Sequence, residues 1–503
     1  FLRLIERETG SFIAVAVGMP RSGIYPLFMQ QSAQATSDLP NSIELIRAAG
    51  EIAYRYAQGD VDTPINPFRS PDELRSLLAL ELSKDGAAID SVMQSLEEIA
   101  NATPRSTSSR FYNQLFGGRD PIATAADMLA PVINTSLYTF KASGPMAIVE
   151  QTVIGHMAQI LGFPSDTHEG VFTPGGSISN LVAMLIARNQ AAPESRNHGV
   201  GGTRLTSYIS EDAHYSVTKN AGIIGIGRAN VRKIKTDEHG MVCVDALRNQ
   251  IEQDIYDGCT PCVVVATAGT TVRGAFDPIE AMGEIARQHK VWFHVDASYG
   301  GTIALSSKHK HLMNGVEQAD SVAWNPHKVM GIPLSAAAFI TRESGFMRQS
   351  LDETAEYLFQ ADDDQYNPGT RSIQCGRRND ALKVWAAWKH HGDSGYQQRI
   401  DHLMNLADHV ADRVRGHDQL TLSCDNAYIN VCFEVVGKSS QAICDLLRER
   451  NELIVGHAVV NGRRIIRVPF VNDDLTKDDV DQMLDFILNA AQQLPAGDNA
   501  VVH

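Results

Sequence analysis

The chain has 503 residues, of which 43% are hydrophobic and 20% are charged, and its formal net charge at pH 7 is −15. This length exceeds the usual span of one domain, so we expect two or three domains. The surplus of carboxylates argues against nucleic acid or an anionic membrane as the main partner, because both favour an excess of Lys and Arg.

The chain contains no apolar run that approaches the roughly 20 residues of a membrane span. Its N-terminal stretch also lacks the order of charged and apolar segments that is typical of a signal peptide. The seven cysteines are an odd and mostly scattered set, which fits reduced thiols better than a disulfide framework. The sequence therefore predicts a cytoplasmic protein without a membrane partner.

The chain divides into three parts by its pattern of apolar residues. Helical patterns over Asp72 to Ser83 and Ile89 to Ala100 predict an N-terminal helical arm in residues 1–104. In residues 105–393 apolar strand candidates alternate with helical stretches, which indicates a parallel sheet covered on both faces. Residues 394–503 return to helices and short strands and predict a smaller α+β domain.

A glycine-containing loop precedes one of the helices predicted in the large domain. The loop runs from Thr173 to Asn180, and the helix-favouring stretch Leu181 to Arg188 follows it. Backbone N–H groups at such a helix start, together with the Ser177 hydroxyl and the helix dipole, suit a phosphate group. Gly-Gly-Ser is common in turns, so this motif by itself is a weak signal.

The segment Cys259-Thr260-Pro261-Cys262 has the Cys-x-x-Cys spacing of some redox and zinc elements. We interpret it as a turn before the buried strand Val263 to Ala266. No second Cys-x-x-Cys or paired histidine cluster completes a metal site with this segment. We therefore expect no metal.

A carboxylate stands at the end of the next predicted strand. The apolar run Val291 to Val295 is interrupted only by His294 and leads to Asp296 and a loop of small residues. A carboxylate at a strand end can hold a positively charged group of a bound ligand, and Asp296 is the candidate for such an anion. The alternative interpretation is an aspartate that caps a helix or forms a turn.

Lys328 is the most informative residue of the chain. It ends the motif Asn325-Pro326-His327-Lys328, which directly follows the apolar run Ser321 to Trp324. A desolvated lysine loses its charge readily, so its amine can form a Schiff base with an aldehyde cofactor, which indicates pyridoxal phosphate. A solvated loop lysine is the alternative for an isolated motif. The glycine loop, His214, Thr267, Asp296 and Lys328 follow one another in the chain, and each lies near a predicted strand end. This order supports the interpretation that they bind one planar cofactor.

The end of the large domain holds a polar segment, Asp362 to Gly369, whose turn-forming residues predict a mobile loop. In the smaller domain we predict strands from Ile429 to Glu434 and from Ile465 to Val468. Arg467 lies inside the second of these apolar strands, where a guanidinium requires a partner.

Ordered motifs across most of the chain carry a family resemblance. The sequence resembles the group II pyridoxal-phosphate-dependent amino-acid decarboxylases, in the branch of the glutamate, cysteine-sulfinate and aspartate decarboxylases. The motifs are Phe111 to Leu115, Asn134 to Ser136, Thr173 to Asn180, Ala213 to Ser216, Thr267 to Thr271, His294 to Ala297, Asn325 to Lys328 and Gln374 to Arg377. The resemblance implies an α/β fold of the fold-type I transferase-like class, with a mostly parallel seven-stranded sheet in the large domain.

The resemblance assigns catalytic roles by position. Lys328 resembles the Schiff-base lysine, Asp296 the partner of the ring nitrogen, and His214 the imidazole stacked on the ring. A core or capping histidine is the alternative for His214. Tyr366 resembles the tyrosine that returns a proton to the substrate carbon, and an exposed loop tyrosine is the alternative. In relatives this loop crosses to the neighbouring subunit, which implies a homodimer with shared active sites.

Six further residues are expected to bind the cofactor. Thr267 matches the position near the phenolic oxygen, and Ser298 stands where many relatives have an alanine against the ring. The positions that resemble phosphate contacts are Gly176, Ser177, Asn325 and His327.

The resemblance also indicates substrate contacts. Arg467 matches the arginine that grips a substrate carboxylate, and Gln114 resembles a second contact to the side-chain end. Ser136 and Tyr138 resemble the cysteine-sulfinate and aspartate branch rather than the glutamate branch. A bulkier phenol would shorten the pocket and favour a four-carbon acid.

The expected reaction is therefore α-decarboxylation of a small acidic L-amino acid, with aspartate to β-alanine preferred. Glutamate to 4-aminobutyrate is the runner-up, and cysteine sulfinate to hypotaurine is a further alternative within the family. Two more distant alternatives are an aminotransferase or lyase on the same fold and a catalytically silent relative that binds a partner.

Overall fold

A computed structural model describes residues 2–6, 12–16, 40–59, 65, 68–353 and 366–501. The chain forms two compact units. The first comprises Phe1–Gly59 and Asp72–Asn101, and the second comprises Asp60–Pro71 and Ala102–His503.

The first unit contains an antiparallel hairpin and helices. The hairpin pairs β1 (Leu2–Glu6) with β2 (Phe12–Ala16), and the helices are α1 (Pro40–Gln58), α2 (Pro71–Leu77) and α3 (Ile89–Ala102). The sequence did not indicate the hairpin. The helix predicted to reach Ser83 ends at Leu77. Since no residue of α2 is buried, packing does not stabilise further turns.

The second unit holds the remaining elements of the described chain. Its strands are β3 (Phe111–Tyr112), β4 (Glu169–Thr173), β5 (Leu205–Ser210), β6 (Val231–Ile234), β7 (Thr260–Thr267), β8 (Trp292–Ala297), β9 (Ser321–Trp324), β10 (Ala337–Thr341), β11 (Leu420–Leu422), β12 (Asn430–Val435), β13 (Ile454–Val460) and β14 (Arg463–Pro469). Its helices are α4 (Pro121–Ile133), α5 (Phe140–Ser143), α6 (Pro145–Ile160), α7 (Gly176–Ala191), α8 (Ser195–His198), α9 (Ser216–Ile223), α10 (Val244–Tyr256), α11 (Ile279–His289), α12 (Phe346–Leu351), α13 (Asp380–Arg415), α14 (Ser440–Glu449) and α15 (Lys477–Gln493).

The large sheet has seven strands in the order β4-β10-β9-β8-β7-β5-β6. Strand β10 is antiparallel to both of its neighbours, whereas the other pairings are parallel. The mostly parallel seven-stranded sheet predicted from the sequence is therefore confirmed. The predicted strand Ser321 to Trp324 matches β9. Strand β7 begins at Thr260, before the predicted Val263, so most of the segment interpreted as a turn is paired strand.

Both faces of the large sheet are buried. Along β7, Val264 and Ala266 belong to one hydrophobic core, and Val263 and Val265 belong to the core on the opposite face. This alternation follows from the two-residue period of a strand and explains why the strand is apolar throughout. Because the parallel strands end at one edge, the residues that follow them meet there.

The second sheet has the order β11-β12-β14-β13-β3, in which β3 is parallel to β13 and the other pairs are antiparallel. Helix α15 begins with a capping box, in which the Thr476 hydroxyl and the Asp479 carboxylate each accept a backbone N–H of the other residue. Helix α13 changes direction at Gly392, whose φ of 64° is left-handed. The three-part domain division, with boundaries after 104 and 393, stays a prediction.

A buried ion pair fixes the segment that precedes α13. The Arg377 guanidinium donates to both carboxylate oxygens of Glu150 at 2.8 and 2.6 Å and to the carbonyls of Leu137 and Phe172. The exposed fractions of the two charged side chains are only 2% and 3%. Removing one partner would leave the other charge buried without compensation.

We predict that Glu150→Gln lowers the free energy of unfolding by about 3–5 kcal/mol, because the Arg377 charge loses its counter-ion in a buried site. Asp72→Asn removes a carboxylate from an exposed pair with Arg75 and is the matched control, for which little change is expected. Thermal unfolding by scanning calorimetry measures both. Equal midpoints for the two variants would contradict the prediction.

Candidate active site

One cavity of about 360 Å³ lies at the edge where the parallel strands end. All nine residues predicted to bind a cofactor line it, namely Gly176, Ser177, His214, Thr267, Asp296, Ser298, Asn325, His327 and Lys328. Neighbouring strands explain the convergence, since Thr267 and Asp296 are partners in the register of β7 and β8. The structure therefore brings the predicted set together, while the individual roles stay predictions.

Lys328 lies in a short turn after β9. Its backbone N–H donates to the carbonyl of Asn325 at 3.0 Å, and its Nζ lies 5.8 Å from the centre of the Tyr299 ring. Burial lowers the pKa of Lys328, and the negative charge of Asp296 opposes part of that change. A larger share of this amine is therefore neutral than in a solvated lysine, as a nucleophile requires.

Asp296 lies at the end of β8 and remains ionised. Its Oδ1 accepts the backbone N–H of Ser298 at 3.1 Å, and its Oδ2 accepts Asn180 Nδ2 at 2.7 Å. Burial alone would raise its pKa, but the hydrogen bonds and the charge of Lys328 hold the pKa of Asp296 below its ordinary value. The cavity thus contains a fixed anion.

His214 enters the cavity from the loop after β5. Its Nδ1 lies 2.8 Å from the hydroxyl of Ser216, which also accepts Asn180 Nδ2 at 3.0 Å. Burial lowers the pKa of His214, with Lys328 contributing in the same direction and Asp296 opposing. The neutral imidazole is therefore favoured at neutral pH.

His294 is a buried histidine to which the sequence assigned no role, and it supports the Asp296 carboxylate through Asn180. His294 Nε2 lies 3.0 Å from Asn180 Oδ1, and His294 Nδ1 lies 2.9 Å from the hydroxyl of Ser321. Burial lowers the pKa of His294 to about 4, so the ring is neutral. Asn180 Oδ1 near Nε2 and the Ser321 carbonyl, which lies 3.1 Å from Nδ1, can both only accept, so the two contacts compete for the single proton of the neutral ring.

The start of α7 forms a close-fitting cradle. A Cβ added at Gly176 would lie 2.4 Å from Ser298 Oγ and 2.8 Å from Asn325 Nδ2, so only glycine fits there. The first backbone N–H groups of the 16-residue helix and its dipole face this space. This arrangement suits an anionic group such as a phosphate.

Three polar atoms at the cavity support a bound ligand. Thr267 Oγ1, Ser298 Oγ and Asn325 Oδ1 are buried and lack a hydrogen-bond partner within the described chain. Buried polar atoms are rarely left unpaired, so each such atom needs an explanation. A planar cofactor with a phenolic oxygen, a ring nitrogen and a phosphate fits the unpaired atoms, the Asp296 anion and the helix start. The residues therefore fit pyridoxal phosphate.

The residues predicted to bind substrate do not line this cavity. Arg467 Nη1 donates to the carbonyl of Thr271 at 3.2 Å, and its Nη2 donates to the carbonyl of Asn113. Since Thr271 lines the cavity, Arg467 lies one residue behind the cavity wall. Gln114 is exposed and follows directly after Asn113 in the chain.

The other predicted functional residues form a separate group. Ser136 Oγ accepts the backbone N–H of Arg377 at 3.1 Å, and a Cβ added at Gly369 would lie 2.7 Å from the Tyr138 ring. The Tyr366 and Phe140 rings lie 5.6 Å apart. This group is also outside the cavity lining. Residues 362–365 of the predicted loop lie outside the described residues.

Sequence reasoning missed the polar residues behind the cavity, which are Asn180, Ser216, His294 and Ser321. Three of them, Asn180, Ser216 and His294, lie inside the motifs of the family resemblance. The available signal for the network was His294, which interrupts an apolar strand.

All seven cysteines are free thiols, Cys259 and Cys262 included. Across the described ranges, no group of three or more His, Cys, Asp or Glu side chains could hold a metal ion. No helix in the described part of the chain is long and apolar enough to cross a bilayer.

Comparison with known proteins gives consistent matches. The family model for the pyridoxal-dependent decarboxylase conserved domain matches residues 71–436. Cysteine sulfinic acid decarboxylase of Homo sapiens is 34% identical over 457 residues, which cover 86% of this chain and 92% of that protein. The acidic amino acid decarboxylase GADL1 of Mus musculus is 34% identical over 451 residues, which cover 85% of this chain and 82% of that protein.

Solved structures agree with these matches. The crystal structure of mouse CSAD superimposes with a TM-score of 0.87 at 31% identity, covering 91% of this chain and all of that one. The Oryza sativa TDC structure with PLP and tryptamine has a TM-score of 0.85 at 24% identity, covering 91% of this chain and 99% of that one. The latter supports the fold alone.

We predict that Gly176→Ala weakens cofactor binding at least about tenfold, because its Cβ would occupy the cradle beside Ser298 and Asn325. Gly202→Ala is the control, since a Cβ there meets nothing within 4 Å. Fluorescence titration of the cofactor-free protein with pyridoxal phosphate measures both affinities. Unchanged affinity in Gly176→Ala would show that this glycine does not shape the site.

The neutral His294 makes stability depend on pH. Its pKa is about 4 in the folded state against an ordinary 6.5, so the unfolded chain binds more protons between these values. The stabilisation present above pH 6.5 is therefore lost as the pH falls toward 4. His294→Gln keeps a donor and an acceptor in place but cannot titrate.

We predict that, relative to His294→Gln, the wild type loses about 3 kcal/mol of unfolding free energy between pH 6.5 and pH 4. Other titrating groups are shared by both proteins and cancel in the difference. Denaturant unfolding of both proteins at a series of pH values measures this difference in unfolding free energy. Parallel pH curves would contradict the neutral state of His294.

Proposed function

The chain belongs to the family of pyridoxal-dependent decarboxylases, and on that premise we propose that it converts L-aspartate to β-alanine and carbon dioxide in preference to other acidic amino acids. It is a pyridoxal-phosphate-dependent decarboxylase of acidic amino acids. The observation that carries the chemistry is the buried Lys328 amine beside the ionised Asp296 in one cavity.

Pyridoxal phosphate, when bound, supplies an aldehyde that condenses with amines and a ring that withdraws electrons from the substrate α-carbon. Lys328 provides the amine that holds the cofactor, since burial keeps a larger share of Nζ unprotonated. Asp296 keeps a proton on the ring nitrogen because its carboxylate stays ionised. His214, with a neutral imidazole in the cavity lining, would restrict the tilt of the ring and would face the substrate carboxylate.

The remaining cofactor contacts fix position rather than move protons. The start of α7 with Gly176 and Ser177, together with Asn325 and His327, holds the phosphate. Burial and the charge of Lys328 lower the pKa of His327 to about 4, so His327 contributes a neutral ring. The hydroxyls of Thr267 and Ser298, which are unpaired within the described chain, would be available to the phenolic oxygen and to the ring of a bound cofactor.

Substrate selection rests on groups around the cavity. Arg467 binds a substrate carboxylate by exchanging its two backbone carbonyl partners for a bidentate carboxylate. Ser136 and the phenol of Tyr138 shorten the space for the side chain, with Gln114 as a further contact. The discrimination against glutamate is modest, because one methylene is worth about 1–3 kcal/mol.

The group of Ser136, Tyr138 and Tyr366 acts in the cavity of a second copy of the chain. These residues lie together but outside the cavity of their own chain, which supports a homodimer with shared active sites. Tyr366 then returns a proton to the substrate carbon after carbon dioxide leaves. We place the dimer in the cytoplasm, where its seven free thiols stay reduced.

Cysteine sulfinate is the second candidate substrate. It has the same short reach between its acidic groups as aspartate, and the name of a human relative at 34% identity supports it. Glutamate is one methylene longer and is the third candidate. A silent relative would not need the desolvated Lys328 and the Asp296 anion.

The test offers aspartate, glutamate and cysteine sulfinate to the cofactor-loaded protein and scores carbon dioxide and the amine formed. The kcat/KM of each reaction is measured. We expect the value for aspartate to be the highest and the value for glutamate to be lower by about tenfold or more. Preference for glutamate or cysteine sulfinate would refute the aspartate assignment. Keto-acid product without carbon dioxide would indicate an aminotransferase.

Lys328→Ala is expected to lower turnover at least about 100-fold, because the amine that holds the cofactor is lost. Lys308→Ala is the control, since its exposed side chain pairs with Asp401 at 3.5 Å and does not line the cavity. Unimpaired multiple turnover in Lys328→Ala would remove this lysine from its proposed role. Absent cofactor absorbance in the wild type would favour the silent relative.

A further inference from the structure

A second cavity of about 760 Å³ lies at the opposite edge of the large sheet. It is lined by the amino ends of β7 and β8 and by the ends of helices α7 and α11. Its volume is within the range of small-molecule sites, roughly 300–1,000 Å³. The proposed decarboxylation assigns no role to this space.

The charge of the second cavity is positive, although the whole chain is acidic. Arg287, Lys290 and Arg342 line it, together with the single carboxylate of Asp320. Asp320 already accepts the backbone N–H of Phe293 at 2.7 Å, and burial raises its pKa. The cations are therefore not balanced by the lining of the cavity.

Arg342 carries the strongest sign of a missing partner. Its guanidinium lies 3.8 Å from Asp320 and 3.6 Å from Glu343, and its Nε is buried without a hydrogen bond in the described chain. Arg287 lies in the last turn of α11, where a helix dipole accounts for a cation. That explanation does not apply to Arg342, which follows a strand.

Two aromatic rings contribute to the apolar part of the cavity. Trp292 and Phe346 line it, and their rings meet edge to face at 5.1 Å. Flat apolar walls beside an under-paired guanidinium match a ligand with a flat apolar body and one carboxylate. A purely inorganic anion would leave these walls without contacts.

A continuous chain of hydrogen bonds joins the two cavities. Trp292 Nε1 donates to the Ser321 hydroxyl at 2.9 Å, and that hydroxyl lies 2.9 Å from His294 Nδ1. His294 Nε2 lies 3.0 Å from Asn180 Oδ1, and Asn180 Nδ2 donates to Asp296 at 2.7 Å. The contacts thus run without a gap from Trp292, which lines the second cavity, to Asp296, which lines the cofactor cavity.

We propose that the second cavity binds a small organic carboxylate with a flat apolar body, and that its occupancy is transmitted through Trp292, Ser321, His294 and Asn180 to Asp296. The ligand contacts Trp292 and moves the indole, which alters its bond to Ser321. The change reaches the carboxylate that holds the proton of the cofactor ring. The binding step does not depend on which acidic amino acid is decarboxylated.

The binding test uses benzoate as the probe, with neutral benzamide as the control ligand. Calorimetric titration of the cofactor-loaded protein is expected to show saturable binding of benzoate and none of benzamide. Arg342→Gln should weaken benzoate binding at least about tenfold. Arg348→Gln is the matched control, because this arginine of α12 lies outside the second cavity, and its affinity should equal that of the wild type.

Two results would overturn the site. One is the absence of saturable benzoate binding, and the other is equal affinity in Arg342→Gln, which would mean that benzoate binds elsewhere. A thermal scan confirms that Arg342→Gln is folded. Arg287→Gln, an exposed position on the same cavity, provides a second variant that should also weaken binding.

The transmission has its own test, read from the visible absorbance of the bound cofactor. Benzoate is expected to change that absorbance in the wild type. In Ser321→Ala, which breaks the chain between Trp292 and His294, benzoate should still bind but the absorbance should not respond. A response that persists in Ser321→Ala would overturn the proposed route.

Discussion

The removal of Lys328 and Asp296 from water is the constraint on which the rest of the site depends. Burial favours the neutral form of each group, yet the two must differ, one as an amine and one as an anion. The structure resolves this by giving Asp296 hydrogen bonds from Ser298 and Asn180. Lys328 receives only the distant charge of Asp296, so burial dominates its pKa.

The same constraint explains the layer of polar residues behind the cavity. Asn180 donates one amide N–H to Asp296 and also donates to the Ser216 hydroxyl, while its amide oxygen lies 3.0 Å from His294 Nε2. Complete burial keeps His294 neutral, so its ring adds no charge behind Asp296. A polar network of this kind stabilises one arrangement when each member is satisfied. The unpaired atoms face the cavity instead, where a ligand can satisfy them.

The fold was predictable where one physical signal dominated. The apolar run Ser321 to Trp324 is a strand because it is buried on both faces, and its length was read correctly. The helix from Asp72 was predicted too long, since its pattern suggested a buried face that α2 lacks. The cavity residues were found because strand ends are marked by small and polar residues. The polar network was missed because a histidine inside an apolar strand gives no sign of its partners.

The sequence by itself determined the family, the cofactor and the residues at the strand ends, because these depend on local patterns and on side-chain chemistry. Only the tertiary structure decided which groups share a cavity and which do not. It placed Arg467 behind Thr271 and separated Tyr138 and Tyr366 from Lys328. It also joined Trp292 to Asp296 through hydrogen bonds between residues far apart in the chain. Such contacts arise from the packing of several strands and helices, which residue order alone does not specify.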